Sequence, residues 1–325
     1  LDQVLALFAL QPDYDLNLMQ RDQTLAQLTA NALTQLDAVL AREQPDCVLV
    51  QGDTTTALAA ALAAFYRRIK VAHVEAGLRT GDKTQPFPEE INRVFADALA
   101  ELHFAPTTTA REHLLSEGIA DNSIVVTGNT VIDALLDVAA RDYDWEAGEL
   151  AAVPRDRRLI LVTAHRRENF GAPLTNICAA LRELAVRFAD VQFVYPVHLN
   201  PHVHGVVNES LSGVPNITLL PPLEYLPLVQ LLKQSTLVLT DSGGLQEEAP
   251  ALGKPVLVMR DVTERMEGVH AGNALLVGTS KEKIIGAATD LLANNHVCES
   301  MSKAVNPYGD GTAAEKIADI LLKHL

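Results

Sequence analysis

Residues 237–248 read LVLTDSGGLQEE. A short apolar run (237–240) ends in a Ser-Gly-Gly turn and passes into a segment of helical periodicity (244–252). An apolar run this short, bounded by turn residues, reads as a strand buried on both faces. A strand feeding directly into a helix is half of a parallel β-α-β unit. Backbone N–H groups at such a helix start form an anion site, and glycines let a phosphate approach the backbone. One turn further, Glu248 is placed to accept hydrogen bonds from two vicinal hydroxyls, as a ribose offers. The structural alternative for Ser242, Gly243 and Gly244 is a plain turn with a serine cap.

The same grammar extends in both directions. Runs at 47–50, 71–74, 102–104, 124–126, 159–163, 192–195, 217–220 and 256–259 have strand character, and helical periodicity appears at 25–42, 55–68, 88–100, 174–189 and 281–293. This alternation predicts an α/β protein with parallel sheets covered by helices. It pauses at 141–158, a polar stretch carrying Gly148 and Pro154. That pause predicts two Rossmann-like domains, 1–145 and 146–325, with a cleft between them and the last helix packing back on the first domain. In such sheets ligands bind at the carboxyl ends of strands.

Composition fits this frame. The 325 residues suffice for about two domains at ~150 residues each, and 48% hydrophobic content excludes disorder as the main state. A net charge of −15 argues against nucleic acid and anionic membranes as partners, because both need clustered Lys and Arg. It leaves room for a locally positive pocket. Cys47, Cys178 and Cys298 are too scattered for a disulfide framework and read as buried free thiols. No run of about 18 apolar residues is present, and with no signal-peptide pattern a cytoplasmic setting is expected. No metal-ligand spacing, GxGxxG or Walker loop points to a metal, NAD or ATP.

Other strand ends carry polar groups. After 47–50 comes Gly52-Asp53-Thr54-Thr55-Thr56, which places a carboxylate at the strand end; its plain reading is an Asp or Thr helix cap. Alternation along 71–75 puts His73 and Glu75 on one face. Glu75 is costly there unless paired or used, and Arg79 is a plausible partner; His73 reads as a satisfied core histidine. Glu89 and Glu90 follow Pro88, where acids suit a helix start. In the second half, 159–163 leads to His165-Arg166-Arg167, a cationic group fit to meet a diphosphate and move protons, and His198 follows 192–195.

Taken together, these segments resemble the non-hydrolysing UDP-N-acetylglucosamine 2-epimerases. The matching pieces are GDTTT (52–56), HVEAGLRTGD (73–82), PEE.NR (88–93), TGNTVIDALL (127–136), HRREN (165–169), YPVHLNP (195–201), EYLP (224–227), DSGGLQEEAP (241–250), GKPVLVMRD..ER (253–265) and NPYGDG (306–311), in the family's order along nearly the whole chain. The resemblance implies the two-domain architecture of the large class of sugar-nucleotide glycosyltransferases and a homodimer. It implies reversible conversion of UDP-N-acetylglucosamine to UDP-N-acetylmannosamine, without NAD, by elimination and re-addition of UDP through 2-acetamidoglucal. By motif, Asp53, Glu75, Glu89 and His165 form the acid/base set, with the C2 base unassigned. Ser242, Gly243 and Gly244 would hold the diphosphate, Glu248 the ribose, and Leu228 would lie near the uracil. Arg166 and His198 match positions tied to activation by UDP-N-acetylglucosamine in some members, and Arg166 is also a substrate-binding candidate.

The family's opening strand and GTRPE-type loop do not precede Leu1 in this sequence, so the polypeptide as written is expected to be impaired in catalysis and stability. The rival readings are a UDP-sugar-dependent glycosyltransferase, a hydrolysing epimerase that releases N-acetylmannosamine and UDP, and a non-catalytic UDP-sugar-binding fragment.

Overall fold

The computed structural model of the chain describes residues 2–20 and 22–324. In chain order it contains α1 (Asp2–Leu7), α2 (Leu25–Glu43), β1 (Cys47–Gln51), α3 (Thr55–Tyr66), β2 (Lys70–Val74), α4 (Glu89–Leu99), β3 (Leu102–Ala105), α5 (Thr108–Ser116), β4 (Ile124–Val126) and α6 (Thr130–Ala140). Then follow β5 (Arg158–Thr163), α7 (Ala172–Arg187), β6 (Val191–Pro196), α8 (Pro201–Leu211), β7 (Ile217–Leu220), α9 (Tyr225–Gln234), β8 (Ser235–Thr240) and α10 (Gly243–Ala251). The chain ends with β9 (Val256–Val258), α11 (Met266–Ala271), β10 (Ala274–Leu276), α12 (Lys281–Ala293), α13 (Asn295–Ser302) and α14 (Ala313–His324). All strand pairs are parallel: β1-β2-β3-β4 form one sheet and β10-β9-β8-β5-β6-β7 the other.

The chain divides into two compact units. One comprises Ala9–Asp133 with Tyr308–Leu325 and the other Leu1–Phe8 with Ala134–Pro307. The division therefore falls inside α6, about a dozen residues before the 145/146 break expected from the polar stretch. The physical reason is packing. Leu135, Val138 and Ala139 on the second half of α6 already belong to a core shared with Val194, Leu231 and Val238. The start of the chain also departs from the expected first domain: Leu7 and Phe8 pack on that same core, and Arg141 donates to the Leu7 carbonyl while stacking over Phe8.

In the six-stranded sheet, successive residues serve opposite faces, as the pleat requires. Ile160, Val162, Phe193, Tyr195, Leu237 and Leu239 face one core with α7, α8 and α12. Leu159, Leu161, Val194, Val238 and Val256 face another with α6, α9 and α10. Both faces are buried, which explains why these strands read as unbroken apolar runs. The strand order reverses between β8 and β5. Such a switch point opens a crevice at the strands' carboxyl ends. In the four-stranded sheet, Val50 and Val71 pack with Leu40 and the alanine-rich α3. Ala72, Val74 and Phe104 face Ile317, Ile320 and Leu321 of α14, so the last helix lies on this sheet.

Of the cysteines, Cys178 alone is fully buried; Cys47 and Cys298 are half-buried, less covered than the apolar context implied. No helix among the described residues is long and apolar enough to cross a membrane.

Candidate active site

Polar groups gather at the carboxyl ends of strands in each unit. In the unit of Ala9–Asp133, β1 runs into Gly52, whose φ is +69°, and then Asp53. Thr54, not Asp53, caps α3, accepting from the Ala57 amide at 3.1 Å. The Asp53 carboxylate is thus not used as a cap. It pairs with Arg93 of α4, while Asn92 donates to the Asp53 carbonyl at 2.9 Å. Glu75 follows β2 with φ +66°, a left-handed conformation that a non-glycine residue holds only when its surroundings impose it. A Cβ built on Gly52 would lie 3.9 Å from Glu75 Oε2, so the Glu75 carboxylate is beside the Gly52-Asp53 turn.

The partner proposed for Glu75 is engaged elsewhere. Arg79 pairs with Asp97 at 2.6 Å and with Glu117 at 2.7 Å. The structure also separates the two acids at the start of α4. Glu90 is buried and accepts from the amides of Thr80 at 3.1 Å and Gly81 at 3.0 Å. Glu89 is half-buried in the first turn, and its carboxylate makes no hydrogen bond to a side chain or backbone group among the described residues. His73 is fully buried, with Nδ1 2.6 Å from Asp97 and Nε2 2.8 Å from the Gly52 carbonyl.

In the unit of Ala134–Pro307, β5 and β8 end side by side at the switch point. Asp241, wholly buried, accepts through Oδ2 from the amides of His165 and Arg166, each at 2.8 Å, and from Asn169 at 2.9 Å. It thereby ties the 165–169 segment to the start of α10. His165 Nδ1 lies 3.7 Å from Asp241 Oδ1, and its ring stacks on exposed His198 at 5.6 Å. Burial holds the His165 pKa below its usual value, outweighing the Asp241 charge, and His198 and Arg166 push the same way. His165 is therefore a neutral imidazole at neutral pH, able to take up a proton.

Ser242 is the N-cap residue of α10, yet its side chain makes no capping bond. A Cβ on Gly243 would meet Arg265 at 2.7 Å and Arg166 at 3.2 Å, so two guanidinium groups crowd the first helical residue. Arg265 is itself paired with Glu247 at 2.6 Å and with Glu264. Glu248, on the same helix, accepts from the Tyr225 hydroxyl at 2.7 Å. Burial raises its pKa above the ordinary glutamate value, although the Tyr225 bond opposes this. Leu228, one turn past Tyr225 on α9, is half-buried against the same core as Tyr225.

The structure thus groups Asp53 and Glu75, near Glu89's helix, in one unit. In the other it groups His165, Arg166 and His198 with Ser242, Gly243, Gly244 and Glu248. Sequence reasoning did not single out Asn92, Arg93, Asp97, Tyr225, Asp241 or Arg265. Their signal was proximity to motifs already noted: Arg93 lies one turn past Glu89, and Asp241 directly precedes Ser242.

The family model described as UDP-N-acetylglucosamine 2-epimerase matches residues 1–322. The UDP-N-acetylglucosamine 2-epimerase of Escherichia coli K12 is 54% identical over 327 residues, covering 99% of this chain and 87% of that protein. The crystal structure of UDP-GlcNAc 2-epimerase from Neisseria meningitidis bound to UDP-GlcNAc superposes with a TM-score of 0.92 at 47% identity, covering 99% of this chain and 88% of that one. The S. aureus MnaA–UDP structure gives a TM-score of 0.91 at 46% identity, covering 100% and 86%. With the match spanning almost every residue and the polar groups at the strand ends where an α/β enzyme places its ligands, the chain belongs to the UDP-N-acetylglucosamine 2-epimerase family.

Proposed function

We propose that the protein interconverts UDP-N-acetylglucosamine and UDP-N-acetylmannosamine by a non-hydrolysing route. A base removes the C2 proton, the C2–H electron pair forms a C1=C2 double bond, and the C1–O pair leaves with UDP. The result is 2-acetamidoglucal plus UDP. Proton return to the opposite face of C2, with UDP oxygen re-adding at C1, gives the epimer, and no redox cofactor enters the balance.

The observation that carries this reading is the set of carboxylates at the carboxyl ends of β1 and β2. Transfer of a sugar to an acceptor has no need for several acids there, whereas moving a weakly acidic C–H proton on and off two faces does. Asp53, held by Arg93, and Glu75, in its left-handed turn, are two of the acid/base candidates; Glu89 and the neutral His165 complete the set. The α10 start at Ser242, Gly243 and Gly244, with Arg166 and Arg265 over it, would stabilise the departing diphosphate, where preorganised donors contribute most. Glu248 would accept from the ribose hydroxyls and Leu228 would lie by the base. His198, stacked on His165, and Arg166 are candidates for an activator site.

Incubation with UDP-N-acetylglucosamine in deuterated water tests the reading. Deuterium at C2 of both epimers, with no free N-acetylmannosamine, is the expected result. Absence of exchange, or free sugar as the product, overturns it. Asp53→Asn should lower kcat by at least ~10²-fold while UDP affinity stays nearly unchanged.

A further inference from the structure

His73 lies in the middle of the four-stranded sheet with no exposure at all, in register with Val50 of β1 on one side and His103 of β3 on the other. Its two ring nitrogens meet two groups that only accept. Nε2 is 2.8 Å from the Gly52 carbonyl oxygen and Nδ1 is 2.6 Å from Asp97 Oδ1. A neutral imidazole carries one N–H and can serve one such acceptor; serving both takes a proton on each nitrogen. Asp97 is suited to face that charge. Burial works against its ionised form, but the bonds from His73 and Arg79 prevail and hold its carboxyl below the usual range.

The same carboxylate reaches the next loop through its other oxygen. Asp97 Oδ2 accepts from Arg79 at 2.6 Å and from the Gly77 amide at 3.3 Å. His103 Nε2 donates to the Asp97 backbone carbonyl at 2.8 Å, which fixes that stretch of α4. One buried hydrogen-bonded pair therefore links two turns. Through His73 it grips the peptide carbonyl immediately before Asp53, and through Gly77 and Arg79 it grips the turn that presents Glu75. The charged groups around it are Asp97 on the Nδ1 side, with Arg79 and Glu117 behind it, and, beyond Gly52, Asp53 with its partner Arg93 and the Glu75 carboxylate.

We propose that His73 is a buried imidazolium, donating from both ring nitrogens, and that with Asp97 it is the positioning pair that sets the Gly52-Asp53 and Glu75–Gly77 turns relative to each other. The role in turnover rests on the reading of Asp53 and Glu75 as acid/base groups; the charge state does not.

The test has two arms. In the first, 15N-histidine-labelled protein is examined at neutral pH by two-dimensional NMR, with the His73 signals identified by their loss in a His73 variant. Two protonated ring nitrogens on that residue are expected, and a single one overturns the charge assignment. In the second, His73→Asn is compared with His73→Gln. The Asn amide nitrogen falls near the place of Nδ1 and keeps the Asp97 contact; the Gln amide nitrogen falls near the place of Nε2 and keeps the Gly52 contact. For His73→Asn, kcat should fall about 10- to 100-fold, the cost of misplacing a reacting group by about 1 Å, with UDP affinity within about twofold. His73→Gln, which releases Asp97 instead, breaks the other end of the link and should lower kcat to a similar degree. Wild-type kcat in either variant, or a loss of UDP affinity as large as the loss of kcat, overturns the positioning role. If Asp53→Asn itself keeps full turnover, the acid/base reading fails separately, and the NMR arm still decides the charge of His73.

Discussion

Gly77→Ala should destabilise the Ala9–Asp133 unit by about 3 kcal/mol, from two separable sources. Gly77 has φ +84°, and a side chain in the left-handed region costs roughly 1–2 kcal/mol. The added Cβ would also lie 2.8 Å from Leu114 Cγ and 2.9 Å from the Ala110 carbonyl carbon, with the Ala110 oxygen closer still. Both neighbours are fully buried, and the Ala110 contact is backbone in α5, which cannot swing aside. Overpacking of this kind adds about 1–3 kcal/mol.

Gly81→Ala separates the two sources. Its φ is +77°, but nothing lies within 4 Å of an added Cβ, so only the backbone cost applies. Trp145, the single tryptophan, belongs to the other unit, so its fluorescence would miss the effect. Hydrogen exchange followed by mass spectrometry, read on peptides from β2, β3 and α5, reports the right region. Thermal unfolding by circular dichroism should show a loss of roughly 2–4 °C per kcal/mol for a unit of this size. If Gly77→Ala costs no more than Gly81→Ala, the steric argument is wrong and the close approach of this turn to α5 is not maintained in solution.

Glu248→Gln should raise the melting temperature at neutral pH while weakening UDP binding. A carboxyl whose folded pKa is raised favours folding below the ordinary glutamate value and loses that contribution as pH climbs through the folded value. At neutral pH the ionised group is therefore at its least favourable, and the neutral amide removes that cost. The gain should vanish on acidification, and a lower melting temperature than wild type at pH 7 refutes the reasoning. Asp241→Ala should cost about 3–5 kcal/mol, because it strips three N–H donors of a buried charged acceptor. Trp145 fluorescence reports this unit, and an unchanged urea midpoint is the refuting result. Cys178, whose thiol burial pushes up to about 11, should be alkylated by iodoacetamide far more slowly than half-buried Cys47 in native protein at pH 8. Equal rates, followed by peptide mass spectrometry, contradict its burial.

The legible part of the fold is the part that obeys the pleat. The strands at 124–126 and 217–220 are legible with their observed bounds because each is an apolar run cut off by polar residues. β10 gives no such signal, being only Ala274–Leu276, without a β-branched residue and with Leu275 40% exposed. α8 is hidden in the sequence because proline and asparagine at its start look like loop; in fact Asn200 caps it, accepting from the His202 amide at 3.0 Å. The polar stretch and the division into units fall at different places for another reason. Composition changes where the chain becomes polar, at Arg141, but packing changes inside α6, whose apolar pattern runs through without a break. At the candidate site, sequence finds what stands at a strand end because topology puts ligands there. It cannot tell which of two adjacent acids turns inward. Glu89 and Glu90 share one motif and one helix turn, and only the three-dimensional path of 80–81 makes Glu90 the loop anchor.

That anchor belongs to a larger pattern on α4. The residues it buries fully are Glu90, Asn92, Arg93, Ala96 and Asp97, so its innermost positions are polar apart from one alanine, while Ile91, Val94 and Leu99 are half-buried. An apolar face would have stabilised the unit at least as well, since buried ion pairs rarely exceed well-packed hydrocarbon in net contribution. Hydrogen bonds account for the difference: Glu90 takes the 80–81 amides, Asn92 the Asp53 carbonyl, Arg93 the Leu78 carbonyl and the Asp53 carboxylate, and Asp97 His73, Gly77 and Arg79. Every one of these partners lies in, or bonds directly to, the turns after β1 and β2. Polar burial costs free energy unless each group is satisfied, and here, Arg93 Nε apart, satisfaction is obtained only when those turns adopt one conformation. What α4 gains over an apolar helix is therefore geometric specification of the turns that carry Asp53 and Glu75, at the expense of stability that leucines would have supplied.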